Sequence, residues 1–195
     1  MRKSRAFLAF LLAFLSINGV SYASDTIPLS CANKTNYSIR ISNVIKGCAK
    51  TEVSLGAGAI SRSLIRPSVV DKQLMYRFKA AQAAAKKDGQ ALYIASGFRT
   101  LTRQKTLFAQ AIRKYGSAAE ASKWVAPTLI SHHPWGVAID VNYPDEPVGA
   151  GWLEVNGSTF GLCRVFDNEW WHFEPVIAPG WKCPALVPDA TYSVD

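Results

Sequence analysis

Apolar residues recur at helical spacing through PSVVDKQLMYRFKAAQAAAKKDG, residues 67–89, where Val70, Leu74, Phe78, Ala81 and Ala85 share one face. That stripe predicts an amphipathic helix stopped by Gly89. TLTRQKTLFAQAIRKYG, residues 100–116, predicts a second helix with Leu107, Ala111 and Ile112 inward and Gly116 as its stop. SAAEASKWVA predicts a shorter helical piece ending at Pro127. Elsewhere the period is two. NYSIRISNVI alternates Tyr37, Ile39 and Ile41 with polar residues, as a half-buried strand does. ALYIASGFR reads as a short buried strand leaving through Ser96 and Gly97, while GVAIDVNY and EWWHFEPV read as strands of the second half. Between those two, GWLEVNGSTFGL reads as a short helix and turn, and the chain from Pro175 is Pro-rich coil. Helices first and strands later predict an α+β domain, and no repeat or linker divides it.

The amino terminus follows a different pattern. Arg2, Lys3 and Arg5 precede the ten-residue apolar run AFLAFLLAFL, and SYA at residues 21–23 supplies small residues for a signal peptidase. This predicts a signal peptide over residues 1–23 and an exported chain. The run is short of the roughly 20 residues that span a bilayer, so no stable membrane anchor is expected after cleavage. Export leaves 172 of the 195 residues and lowers the net charge from +8 to +5. That charge does not make a nucleic-acid protein, but it suits work near an anionic polymer such as a cell wall. Cys31, Cys48, Cys163 and Cys183 form no CxxC pair. In an oxidising compartment they predict two disulfides, and short loops favour Cys31–Cys48 and Cys163–Cys183.

The chemistry concentrates in SHHPWGVAID and EWWHFE, which hold all three histidines of the chain. Alternation along GVAIDVNY sets Val137, Ile139 and Val141 toward the core, and Ala138, Asp140 and Asn142 toward the other face. In EWWHFEPV the same parity groups Trp170, His172 and Glu174 against Trp171 and Phe173. The sequence thus supplies an Asp and a His on two aromatic-rich strands, with His132 or His133 just before the first. Two imidazoles and one carboxylate with an open position suit catalytic zinc, which activates water and polarises a carbonyl. Glu169 is the candidate base, but strand parity sets it opposite His172. It must therefore sit in a turn or bulge, which Asp167-Asn168 favours. Taken singly, a strand Asp is more often bonded to a loop amide, and a His near aromatics more often packs than ligates.

Ser131-x-His133-x-x-Gly136-x-Ala138-x-Asp140, followed by Glu169-x-Trp171-His172, resembles the signature of the D-alanyl-D-alanine carboxypeptidase family of zinc peptidases. This is the VanY-like group, with VanX and the L,D-carboxypeptidases as relatives. SGFRTLTRQKTLF resembles the family's Ser-Gly-Tyr-Arg-Ser segment, with Phe98 in place of the Tyr; Trp170 stands where relatives often have Pro. The resemblance covers roughly residues 69–175. It implies helices packed on a small, mainly antiparallel sheet that carries the metal site. It implies one Zn2+ held by His133, Asp140 and His172, with Glu169 as base. It also implies Arg99 as holder of a substrate carboxylate or oxyanion, and Gln104 and Ser131 as substrate-binding residues. Residues 24–68 take no part and are expected to form an extension, either wall- or partner-binding or a strand pair, ahead of a core over 69–195.

The expected activity is removal of a C-terminal D-amino acid, D-alanine, from peptidoglycan stem peptides by a secreted or periplasmic bacterial enzyme. Two other readings stand beside it: an endopeptidase acting within stem peptides or cross-links, and a zinc-stabilised wall-binding module without catalysis. An intact Glu169 disfavours the last. The chain has no Ser-x-x-Lys, Gly-x-Ser-x-Gly or HExxH, which removes serine acyl-enzyme chemistry and the common metalloprotease helix.

Overall fold

The computed structural model describes residues 28–60, 62 and 67–192, and the segment read as a signal peptide lies outside them. Three strands come first: β1 (Pro28–Asn33), β2 (Ile39–Asn43) and β3 (Glu52–Ser54) form an antiparallel sheet in the order β2-β1-β3. The helices-first order predicted from the pattern is corrected here. β1 and β3 carry no clean alternation, so periodicity did not reveal them. Cys31 on β1 is joined to Cys48. Tyr37 has φ 57 and stands in the turn before β2 rather than in it. Tyr37 and Ile39 pack on the main core, whereas Ile41 is 61% exposed, so the predicted Tyr37–Ile41 face does not continue along the strand.

Helix α1 (Lys72–Lys87) starts where Asp71 accepts hydrogen bonds from the Gln73 and Leu74 amides at 2.7 and 3.1 Å. Leu74, Phe78, Ala81 and Ala85 are buried as the spacing predicts. Arg77 is buried beside them and donates to four backbone carbonyls, those of Leu55, Gly58, Gly161 and Ile177.

The second sheet runs β4-β5-β7-β6 with every neighbour antiparallel: β4 (Ile94–Ser96), β5 (Ile139–Val141), β6 (Cys163–Arg164) and β7 (His172–Glu174). These strands are shorter than the runs that predicted them. Gly136 at φ 70 ends a 3-10 turn just ahead of β5, and Asn142 at φ 57 leaves it. β4 is an edge strand and only half-buried, which corrects the buried strand expected there. Ile139, Val141 and Phe173 face α1 and join Leu74, Phe78 and Leu153 in the core.

Helix α2 (Leu101–Tyr115) is capped by Thr100 and stops at Gly116 in the left-handed region. Its buried residues are Gln104 and Ala111, while Leu107 and Ile112 are only half-buried. The difference arises because α2 faces a cavity rather than the core. Helix α3 (Ala118–Ser122) follows. Helix α4 (Pro147–Asn156) begins four residues before the predicted start, because Glu146 caps the Val148 and Gly149 amides. The tail from Pro175 adds no strand beyond a bridge between Val187 and Phe166, and Cys183 ties it to Cys163 on β6. Among the described residues no helix is long and apolar enough to cross a membrane.

Candidate active site

Register builds the centre. Ser96 on β4, Asp140 on β5 and His172 on β7 pair in one row across three strands, so their side chains share a face. That face looks away from Ile139 and Phe173, as alternation requires. His133 arrives from the 3-10 turn His133–Trp135, with Pro134 in its first turn and Gly136 ending it. Gly136 is required there twice over: its φ is 70, and a Cβ would lie 2.6 Å from the Val69 carbonyl. The Asp71 amide donates to the Gly136 carbonyl at 2.8 Å, which seats this turn on the start of α1.

One ligand atom each from His133, Asp140 and His172 lies within 4.8 Å of the other two, and all three residues are buried. Asp140 Oδ1 is 3.3 Å from His133 Nε2 and 3.2 Å from His172 Nδ1. The opposite ring nitrogens are already committed. His133 Nδ1 lies 2.7 Å from the Gly97 carbonyl, and His172 Nε2 lies 2.8 Å from Glu174 Oε1. These contacts leave His133 Nε2 and His172 Nδ1 as the ring nitrogens that face Asp140, where each can offer a lone pair to a metal once it carries no proton. Two nitrogens and one carboxylate oxygen oriented in this way fit Zn2+ with an open position.

Burial would lower the His172 pKa, but hydrogen bonds to Asp140 and Glu174 outweigh it and push it up to about 10. Burial would likewise raise the Asp140 carboxyl, yet His133 and His172 hold it well below the usual carboxylate range. The metal-free centre therefore keeps a proton on His172 at neutral pH, and a metal must displace it. Zinc uptake should release about one proton per chain, read by an indicator dye in weak buffer. Proton-neutral uptake at pH 7 would show that His172 is not held charged.

Glu169 stands in the turn before β7, as strand parity demanded of it. Asn168 anchors that turn by donating to the Lys123 carbonyl at 2.7 Å. Glu169 Oε2 comes within 3.7 Å of His172 Nδ1. Burial raises its pKa to about 7, against the charge of His172. Arg99 is occupied by the centre: it pairs with Asp140 Oδ2, donates to Ser96 Oγ at 2.8 Å, and reaches Gln104 Oε1 at 3.4 Å. Gln104 in turn donates to the Ala126 carbonyl at 2.8 Å, so its amide braces Arg99. Ser131 is buried on the wall of the same cavity, which has a volume of about 820 Å³.

Two residues of the centre have a role that the sequence reading did not give them. Glu174 bridges His172 and His132, with Oε2 2.7 Å from His132 Nδ1. Burial opposes its charge, but the two histidines hold its pKa down at about 2. Alternation set Glu174 on the His172 side, but its partner His132 comes from another segment. The first histidine of SHHPW, His132, thus orients the carboxylate that orients a ligand. Glu174→Gln should weaken zinc binding roughly 10- to 100-fold, measured by competition with a chromogenic chelator. Unchanged affinity would reduce the bridge to packing.

The model of the family described as VanY, D-alanyl-D-alanine carboxypeptidase, matches residues 67–174, more than half of the chain. The chain belongs to the VanY family. A D-alanyl-D-alanine carboxypeptidase of Enterococcus faecalis (strain ATCC 700802 / V583) is 31% identical over 116 residues, 48% of this chain and 43% of that protein. The chain thus matches less than half the length of that relative. Among solved structures, a Zn(II) complex of a mutant of the vancomycin-resistance D,D-pentapeptidase VanY superposes with a TM-score of 0.51 at 25% identity. It covers 58% of this chain and 78% of that one. VanYB in complex with D-alanine-D-alanine gives a TM-score of 0.51 at 25% identity, over 59% and 77% of the two chains. All the candidate site residues fall inside the VanY segment, whereas the β1–β3 sheet and the tail from Pro175 lie outside it.

Proposed function

We propose that this VanY-family protein is an exported, zinc-dependent carboxypeptidase that removes C-terminal D-alanine from peptidoglycan stem peptides. The observation that carries this reading is the placement of Glu169, buried yet bordering the cavity and 3.7 Å from His172. His133, Asp140 and His172 would hold the zinc, which when bound supplies Lewis acidity toward a carbonyl and an activated water. Glu169 takes the proton of the attacking water and returns it to the leaving amine. Its raised pKa, about 7, suits a group that must both accept and donate near neutrality. Arg99, fixed by Asp140, Ser96 and Gln104, presents its guanidinium at the edge of the centre to a terminal carboxylate or developing oxyanion. Ser131 lines the space where the substrate's end would lie. The two disulfides support an oxidising, extracytoplasmic location.

Mass spectrometry of defined pentapeptide stems, incubated with and without a chelator, tests the whole reading. Loss of one terminal alanine, abolished by chelator and restored by zinc, is the expected result. Trimming of tetrapeptides alone would make the enzyme an L,D-carboxypeptidase, and cutting only of cross-linked fragments an endopeptidase. Stoichiometric zinc with no cleavage of any substrate would turn the reading to a wall-binding module.

A further inference from the structure

The cavity offers more wall than a terminal residue needs. At about 820 Å³ it lies toward the upper end of the range for small-molecule sites. Away from the centre its lining is largely aromatic and apolar, including Leu107, Trp124, Tyr143, Trp171 and Tyr192. One charged side chain interrupts this wall. Arg103, in the first turn of α2, borders the cavity, and its guanidinium has no hydrogen bond or ion pair among the described residues. No carboxylate stands within helical reach of it, because positions 99, 100, 106 and 107 are Arg, Thr, Thr and Leu. Arg99 contrasts with it at each point, being held by Asp140, Ser96 and Gln104. The cavity therefore holds one cation fixed at the centre, Arg99, and a second, Arg103, with no partner among the described residues.

We propose that Arg103 forms an anionic-side-chain subsite, selecting peptides that carry a carboxylate shortly before the residue removed. The inference rests on the carboxypeptidase reading for its direction: the leaving residue is the last one, so the remaining wall is met by what precedes it. Arg103 is exposed at the rim of the cavity, so a substrate carboxylate gains a modest, salt-sensitive attraction from it.

The test uses five-residue peptides ending in D-alanyl-D-alanine, with glutamate or glutamine at each of the two positions before that pair. Binding to the zinc-loaded Glu169→Gln protein is measured by calorimetry, which requires no turnover. Hydrolysis of the all-glutamine peptide by the parent enzyme is followed separately and tests the carboxypeptidase reading by itself. Glutamate at one of the two positions should tighten binding roughly three- to tenfold at low salt, and the preference should shrink at high salt. Arg103→Gln should abolish the preference, and Arg103→Glu should invert it toward glutamine. Inversion is an outcome that a purely structural role for Arg103 does not produce. Equal binding of the peptides to the parent, or a preference that survives Arg103→Gln, overturns the proposal. So does a uniform weakening by Arg103→Gln that disappears with amidated peptides, since Arg103 would then hold the terminal carboxylate. Absence of binding by any peptide overturns it as well.

Discussion

Glu169→Gln should retain zinc and lose turnover by roughly 10²- to 10⁴-fold, the range expected when a positioned proton-transfer group is removed. The carboxylate is not among the three groups that converge on the metal position, and glutamine fills nearly the same volume. What glutamine lacks is a basic oxygen that can take a proton and give it back. His172→Ala should behave differently. It removes a donor and strips Asp140 and Glu174 of a hydrogen-bond partner, so zinc and activity should fall together. Zinc content by atomic absorption and kcat on a pentapeptide stem separate the two classes of variant. Full activity in Glu169→Gln would remove the residue from the mechanism. Loss of zinc from that variant would instead make Glu169 part of the metal site.

How far the site was legible follows from how each residue is brought to it. Asp140 and His172 stand at equal register on neighbouring strands, so alternation alone aims both at one face. His133 could not be chosen over His132 by spacing. Only the 3-10 turn, which directs one ring to Gly97 and the other to Glu174, distinguishes them. Glu169 was legible as a conflict: parity placed it on the wrong face, and a turn before β7 resolves that. Glu174 was legible in its face but not in its role, because that role depends on a histidine 42 residues away.

The fold divides in the same way. Helices α1 and α2 were visible because several turns of apolar spacing accumulate, and each has a glycine after its end. β3 and β6, with three and two residues, are too short for a period to register. They exist because tertiary partners supply the ladder. Arg77 was hidden for a related reason. It lies one position before Phe78 in a helix rich in lysine, and an arginine there reads as solvent charge. The carbonyls that hold it belong to residues 55, 58, 161 and 177, which no local pattern connects.

Arg77→Ala should be the most destabilising single change outside the metal centre, costing about 3–5 kcal/mol and lowering Tm by roughly 6–20 °C. Burial lowers the Arg77 pKa to about 10, against the pull of Asp71, so the guanidinium is still charged at neutral pH. Among the described residues no carboxylate pairs with it, and its bonds there, at 2.5–3.0 Å, go to backbone carbonyls. Removing it leaves those buried acceptors unpaired, and each unsatisfied group costs about 1–3 kcal/mol before relaxation and water entry reduce the sum. Arg77→Met keeps most of the volume and should lose nearly as much, which would identify the bonds rather than the packing as the source. Lysine should recover only part, because one ammonium cannot serve carbonyls arranged for a planar fork. Gly161→Ala attacks the same junction from its other side. A Cβ there would fall 2.5 Å from Arg77 Nη1 and 2.9 Å from the Ile177 carbonyl, at a φ of +72. Thermal and urea unfolding of these variants measure the effect directly. Because the four carbonyls come from the extension, the approach to β6 and the start of the tail, loosening them should also slacken the strands beside Glu169 and His172. Arg77→Met should therefore lose some zinc affinity well below its unfolding temperature. A variant within about 1 kcal/mol of the parent would show that water replaces the guanidinium at little cost, and that the junction is held by its apolar contacts instead.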